Sequence, residues 1–196
     1  MGTFGFIAEF KNKIHLSLID GKDFLNVHSA WVKYFISQPY VSRMQGKDIY
    51  QFSLDDDFAP SPLSDVNGIW CWWISAWGKS LLVNYMEIID WSDNSLPFTY
   101  TFIVIFDGGT YISQHKDVDF LSSYKLWLQY FSRSLYVNKN QSELLSVYSS
   151  NINEDKLTEE CKIKSISIDM QGEPFKLYIA KTKLSCPEID LPIIEQ

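Results

Sequence analysis

An α+β fold with a largely antiparallel, meandering sheet and helices mainly on one of its faces is predicted by three features of the sequence. Short apolar runs follow one another in pairs across turn signals such as Gly78-Lys79 and Asp107-Gly108-Gly109. Two longer segments instead place their apolar residues at helical spacing, each opening at an aspartate suited to capping. The 196 residues, 46% of them hydrophobic and 21% charged, suffice to close a real core. No internal repeat, low-complexity run or clear linker stands out, so one domain over residues 1–196 is expected.

The first pair of strands runs from Phe4 to Phe10 and from Ile14 to Ile19 around Lys11-Asn12-Lys13. His15 lies on the second and receives no role, because metal or acid–base work needs partners that its neighbourhood lacks. Asp23 then caps a helix to about Ser37, whose stripe is Phe24, Val27, Trp31, Val32, Phe35 and Ile36, and Pro39 ends it. Gly46-Lys47 reads as a break, and the alternation from Ile49 to Leu54 predicts a short half-buried strand. Asp55-Asp56-Asp57 and a proline-bearing stretch follow as a loop. Three consecutive carboxylates do not match a calcium loop, which alternates its ligands around a central glycine.

Gly68 to Trp91 holds five of the seven tryptophans. Its two apolar runs predict a hairpin with a II′ turn at Gly78-Lys79, which sets Trp72 opposite Tyr85, Trp70 opposite Glu87 and Ile74 opposite Val83. The other face carries Cys71, Trp73, Ser75 and Trp77. Neither face is polar enough to sit bare in water, so the hairpin belongs either in the middle of a sheet covered on both sides, or covered on one side and docked to a partner on the other.

Phe98 to Phe106 and Thr110 to Lys116 form the next hairpin. Asp117 or Asp119 caps a long helix to about Val137, with Phe120, Tyr124, Trp127, Leu128 and Phe131 on one face. Asn138 to Asn140 breaks it, a shorter helix covers Ser142 to about Ser149, and Asn151 to Glu160 is a loop. Lys162 to Met170 and Phe175 to Leu184 close the body as a third hairpin, and Cys186 to Gln196 suits an extended tail.

A net charge of -7 and a pI near 4.9 argue against holding nucleic acid by its phosphates and favour a basic protein partner. Met1 to Lys13 lacks the pattern of a secretion leader, Phe6 breaks the myristoylation pattern, and no apolar run is long enough to span a bilayer. Cys71, Cys161 and Cys186 lie far apart, so neither a disulfide framework nor a zinc site is expected, and the default is cytoplasmic. No cofactor motif is present. Catalytic signatures are missing too: there is no Gly-x-Ser-x-Gly elbow, and Cys71 between Trp70 and Trp72 reads as an inert buried thiol. Glu87, Asp90 and Asp107 remain as carboxylates that a hydrolase would gather at one end of the sheet.

In size, charge and α+β build, over the whole chain, the sequence resembles the small acidic immunity proteins with which bacteria neutralise toxins; the resemblance rests on no family-specific motif. It implies tight binding to a cognate toxin domain such as a basic nuclease, with carboxylates standing where the toxin would meet phosphates. The partner-binding residues on this reading are Asp55, Asp56 and Asp57 for charge pairing and Trp73 and Trp77 as aromatic anchors. The alternatives are an accessory or structural protein that forms a homo-oligomer through the apolar hairpin, and the carboxylate hydrolase.

Overall fold

The chain builds one ββααβββ unit twice. The computed structural model describes residues 1–64, 66–93, 98–116, 119–134, 137–150, 157–160, 162–170 and 172–183. In the first unit β1 (Gly2–Phe10), β2 (Lys13–Gly21), α1 (Phe24–Ile36), α2 (Arg43–Phe52), a 3-10 turn (Asp56–Phe58), β3 (Ser61–Pro62), β4 (Ile69–Ala76) and β5 (Lys79–Ile88) follow in order. The second supplies β6 (Phe98–Phe106), β7 (Gly109–His115), α3 (Phe120–Ser132), α4 (Lys139–Ser150), β8 (Thr158–Glu160), β9 (Ile163–Asp169) and β10 (Pro174–Lys183). Every strand pairs antiparallel, in the order β2-β1-β5-β4-β3 in one unit and β7-β6-β10-β9-β8 in the other.

The repetition extends to single side chains, with counterparts 96 positions apart through the first helix of each unit. Asp23 and Asp119 cap α1 and α3, accepting from the backbone N–H of Asn26 and Ser122. The Trp31 indole donates to Ser17 Oγ at 2.9 Å and stacks on Phe6 at 5.2 Å; the Trp127 indole donates to Ser113 Oγ at 2.8 Å and stacks on Phe102 at 5.0 Å. Even the second helices open alike. Ser42 and Gln45 exchange reciprocal side-chain bonds with each other's backbone N–H, and so do Asn138 and Gln141.

This internal repeat corrects the reading of the sequence, which found none. The shared residues are scattered: Phe6, Phe10, Ser17, Asp23, Trp31 and Phe35 recur as Phe102, Phe106, Ser113, Asp119, Trp127 and Phe131, with unlike residues between them. What recurs is a set of mostly buried positions together with the exposed caps Asp23 and Asp119, and burial constrains volume more than identity.

Two local expectations also change. Ile49 to Phe52 form the last turn of a helix, capped by Ser53, because the Ser42–Gln45 box starts α2 and only one side of it, with Gln45, Gly46 and Ile49, is buried. Gly46 is no break: it is buried within α2 against Ile36 and Val41, where a Cβ would make ordinary contact at 3.4 Å or more. In the tryptophan hairpin the turn residues are Trp77 and Gly78, both at positive φ (51° and 67°), a I′ rather than a II′ turn. Trp70 therefore pairs Tyr85, Trp72 pairs Val83 and Ile74 pairs Leu81, a slip of two residues that leaves the faces as assigned. Elsewhere α3 stops at Ser132, short of Val137, Asn138 is a cap rather than a breaker, and Thr158–Glu160 pairs as a strand within the expected loop. Cys161 and the tail from Cys186 lie outside the described residues.

The two half-sheets meet where Ile88 of β5 pairs Thr182 of β10 and the Ile89 N–H donates to Lys181 O at 2.7 Å. The sheet folds back on itself there. Its inner faces enclose Ile7, Ile69, Met86 and Ile88 against Ile103, Ile163, Tyr178 and Ala180. The outer faces carry the helices, over a first core around Phe6, Trp31, Trp72 and Tyr85 and a second around Phe102, Trp127, Phe175 and Leu177. All four helices thus lie on the outer face of one continuous sheet, as the fold class requires.

Candidate functional site

The β4–β5 hairpin is enclosed on both faces at its base and on only one at its tip. Trp72, Ile74, Leu81 and Val83 are buried beneath the helices, whereas Trp73 on the opposite face is 63% exposed and Trp77 in the turn 61% exposed. A left-handed backbone disfavours a tryptophan by about 1–2 kcal/mol, so Trp77 is not there to help the turn form. The β1–β2 and β6–β7 turns, also with two residues at positive φ, use Lys11-Asn12 and Asp107-Gly108. The other repeat is an internal control: its sequence puts Ser167 and Gln171 where this one has Trp73 and Trp77. The fold can be built without either tryptophan.

Trp73 forms one side of a cleft of about 640 Å³, lined also by Glu9, Lys11, Asn12, Lys79, Ser80 and Leu82, with Gly108 of the second repeat on its rim. Lys11 is held, its ammonium donating to Tyr40 O at 2.7 Å. Asp55, Asp56 and Asp57 border a second, open groove with Asp48, Gln51, Phe52 and Leu54. Asp55 Oδ1 accepts from the Asp57 N–H at 3.0 Å and so caps the 3-10 turn; none of the three carboxylates meets a cation among the described residues. The turn is fastened to β4, since the Trp72 indole donates to Phe58 O at 2.7 Å. Sequence reasoning missed Leu54 and Phe58, 68% and 42% exposed beside the carboxylates. Their signal is an apolar residue on each side of an acidic run, but Leu54 falls in the expected strand and Phe58 in the expected loop.

The carboxylates of the hydrolase reading do not converge. Glu87 pairs Lys183 and Asp90 pairs Lys162, each at 3.4 Å, near the junction of the half-sheets. The Ser92 hydroxyl and amide, with Lys162, hold the Asp90 carboxyl below its usual range. Asp107 follows the far end of β6, about eight residues or ~25 Å from that junction. Among the described residues no group of three His, Cys, Asp or Glu side chains is placed to hold a metal, and no helix is long and apolar enough to cross a membrane. Cys71 is half-buried between the sheets, where burial pushes its thiol pKa up.

His28 is the one buried histidine among the described residues, packed edge-on to Trp72 and stacked near Tyr85. Neither ring nitrogen has a hydrogen-bond partner there, and burial lowers its pKa to about 4. Tyr124 occupies the matching position of the other repeat, which argues for packing rather than chemistry. Because the folded pKa lies below the unfolded value of about 6.5, His28 contributes fully above pH 6.5 and progressively less as pH falls toward 4. The expected loss is about 2 kcal/mol at pH 5 and about 3 kcal/mol below pH 4. Urea unfolding of wild type and His28→Phe at pH 7 and pH 5 checks this: the variant should lose that much less, and parallel losses would exclude the assignment.

Comparison of the chain with protein-family models, with curated proteins and with solved structures finds no match. The functional reading therefore rests on the geometry of the chain itself.

Proposed function

We propose that this chain is a protein-binding inhibitor that neutralises a basic protein by forming a tight complex, acting in the cytoplasm in the manner of a toxin-immunity protein. The carrying observation is the pair Trp73 and Trp77: large, exposed, one of them on unfavourable backbone, and replaced by small or polar residues in the repeat that shares the fold. Exposed aromatic residues at a rigid hairpin tip are suited to act as anchors in an interface. Asp55, Asp56 and Asp57, which meet no cation among the described residues and are flanked by Leu54 and Phe58, add charge complementarity to a cationic surface. Glu87 and Asp90, already paired with lysines, do not suit that role.

Affinity capture with the wild-type chain, followed by identification of what is retained, supplies the partner. Replacing Asp55, Asp56 and Asp57 together by Asn is then expected to leave stability unchanged or slightly raised, since mutual repulsion is relieved. Association with the partner should slow and its salt dependence flatten, because rim charges act chiefly on the on-rate. Stopped-flow kinetics at low and high salt measures both, and equal rates with equal salt slopes for wild type and variant would refute the role of the acidic run.

A further inference from the structure

The outer edge of β4 is only half covered. β3 pairs with it at Ser61–Cys71 and Pro62–Trp70, and the Leu63 N–H donates to Ile69 O at 3.0 Å. A strand turns the backbone of alternate residues to the same side, so the backbone groups of Cys71, Trp73 and Ser75 face away from β5 as those of Ile69 do. Beyond Cys71 no strand meets them, and among the described residues no hydrogen bond reaches the outward N–H or C=O of Trp73 or Ser75. That stretch carries no charge and no proline, the usual guards of an open edge. On β9 the matching stretch has Asp169, whose carboxylate accepts from the Gly172 N–H at 2.6 Å.

We infer that the β4 edge at Trp73–Ser75 takes up an extended, basic segment of the partner protein as an added antiparallel or parallel strand. This rests on the proposed function and specifies how the partner is held. Main-chain hydrogen bonds from Trp73 and Ser75 supply affinity, and the Trp73 and Trp77 rings cover side chains of the incoming strand. Charge selects the occupant. The acidic turn is fastened to β4 through Trp72 and Phe58, so a strand on this edge runs beside Asp55, Asp56 and Asp57. A second copy of the chain would bring a second set of these carboxylates, and a further net charge of -7, against the first. A lysine- or arginine-bearing segment meets them favourably.

Main-chain recognition tolerates sequence, so a blocked peptide of alternating Lys and Val serves as the probe, with one of alternating Glu and Val as its counterpart. The Lys–Val peptide is expected to bind and to slow amide hydrogen exchange at Trp73 and Ser75. Ser75→Ala should bind equally, whereas Ser75→Pro, which removes the outward N–H at an edge position where proline is tolerated, should bind at least ~10-fold more weakly. Unaltered exchange at both amides on binding, equal affinity for Ser75→Pro, or no binding of either peptide overturns the strand addition. Amide exchange in the free Ser75→Pro variant shows whether β4 and β5 are intact, and the wild-type exchange result stands independently of that variant. Equal binding of the Glu–Val peptide with the same protection keeps the added strand and defeats the basic partner; loss of binding in the triple Asp→Asn variant but not in Ser75→Pro does the reverse. A concentration-dependent dimer that Ser75→Pro abolishes identifies the occupant as a second copy and overturns the assignment to a basic segment.

Discussion

Replacing Trp31 by Ala, or Trp127 by Ala, is expected to destabilise the protein by about 3–5 kcal/mol, and the two losses should agree to within about 1 kcal/mol. Both rings are almost wholly buried, at 0% and 3% exposure, and both stack on a phenylalanine of the neighbouring strand. Each indole is also bonded to a serine, and removing the ring leaves Ser17 or Ser113 without that partner. The two sites are related by the repeat, so the cavity, the lost contacts and the orphaned hydroxyl are nearly the same. Urea unfolding of the two variants measures the comparison. Losses differing by more than about 2 kcal/mol would mean that the half-sheets are not energetically equivalent, despite their common pattern of pairing.

The second large effect contrasts two neighbouring residues. Trp72→Ala should cost about 3–5 kcal/mol, because Trp72 is 1% exposed under the helices and its indole fastens the acidic turn. Trp73→Ser, one residue on, should cost less than about 1 kcal/mol, since most of that ring is already in water. Thermal unfolding separates the two: a chain of this size shifts by roughly 2–4 °C per kcal/mol, so the first variant should melt several degrees lower and the second almost with the wild type. Similar melting of both would show that the face assignment of the hairpin is wrong.

That assignment was legible in the sequence because alternation fixes which residues share a face, and a register slip of two leaves the faces intact. The turn type was not legible. Gly78 signals a turn, but Trp77 on left-handed backbone is a choice that local propensity argues against. The helix over Arg43–Phe52 was hidden by an interior glycine and a short stretch of alternation; its start was written in Ser42 and Gln45, a pattern easily passed over without an apolar run behind it. The repeat was obscured because its two copies fill many matching positions with different residues, as where the Trp70 ring lies tilted against Phe24 in one and the Lys164 ammonium lies over Phe120 in the other. Of the candidate site, Asp55, Asp56, Asp57, Trp73 and Trp77 could be named in advance. Their common attachment to the tip and outer edge of β4 could not, since it depends on the pairing of Ser61–Pro62 with that strand and on the bond from the Trp72 indole to Phe58 O.

The central claim is that Trp73 and Trp77 serve binding rather than folding, and a paired measurement on Trp73→Ser/Trp77→Asn tests it most directly. Serine is the residue that the other repeat has in place of Trp73, and asparagine suits the left-handed turn position. The melting temperature should stay the same or rise by a few degrees, while the double variant, used as bait beside the wild type, should fail to retain the partner that affinity capture with the wild type identifies. A variant that melts several degrees lower, or that retains the same protein with the same affinity, would contradict the account.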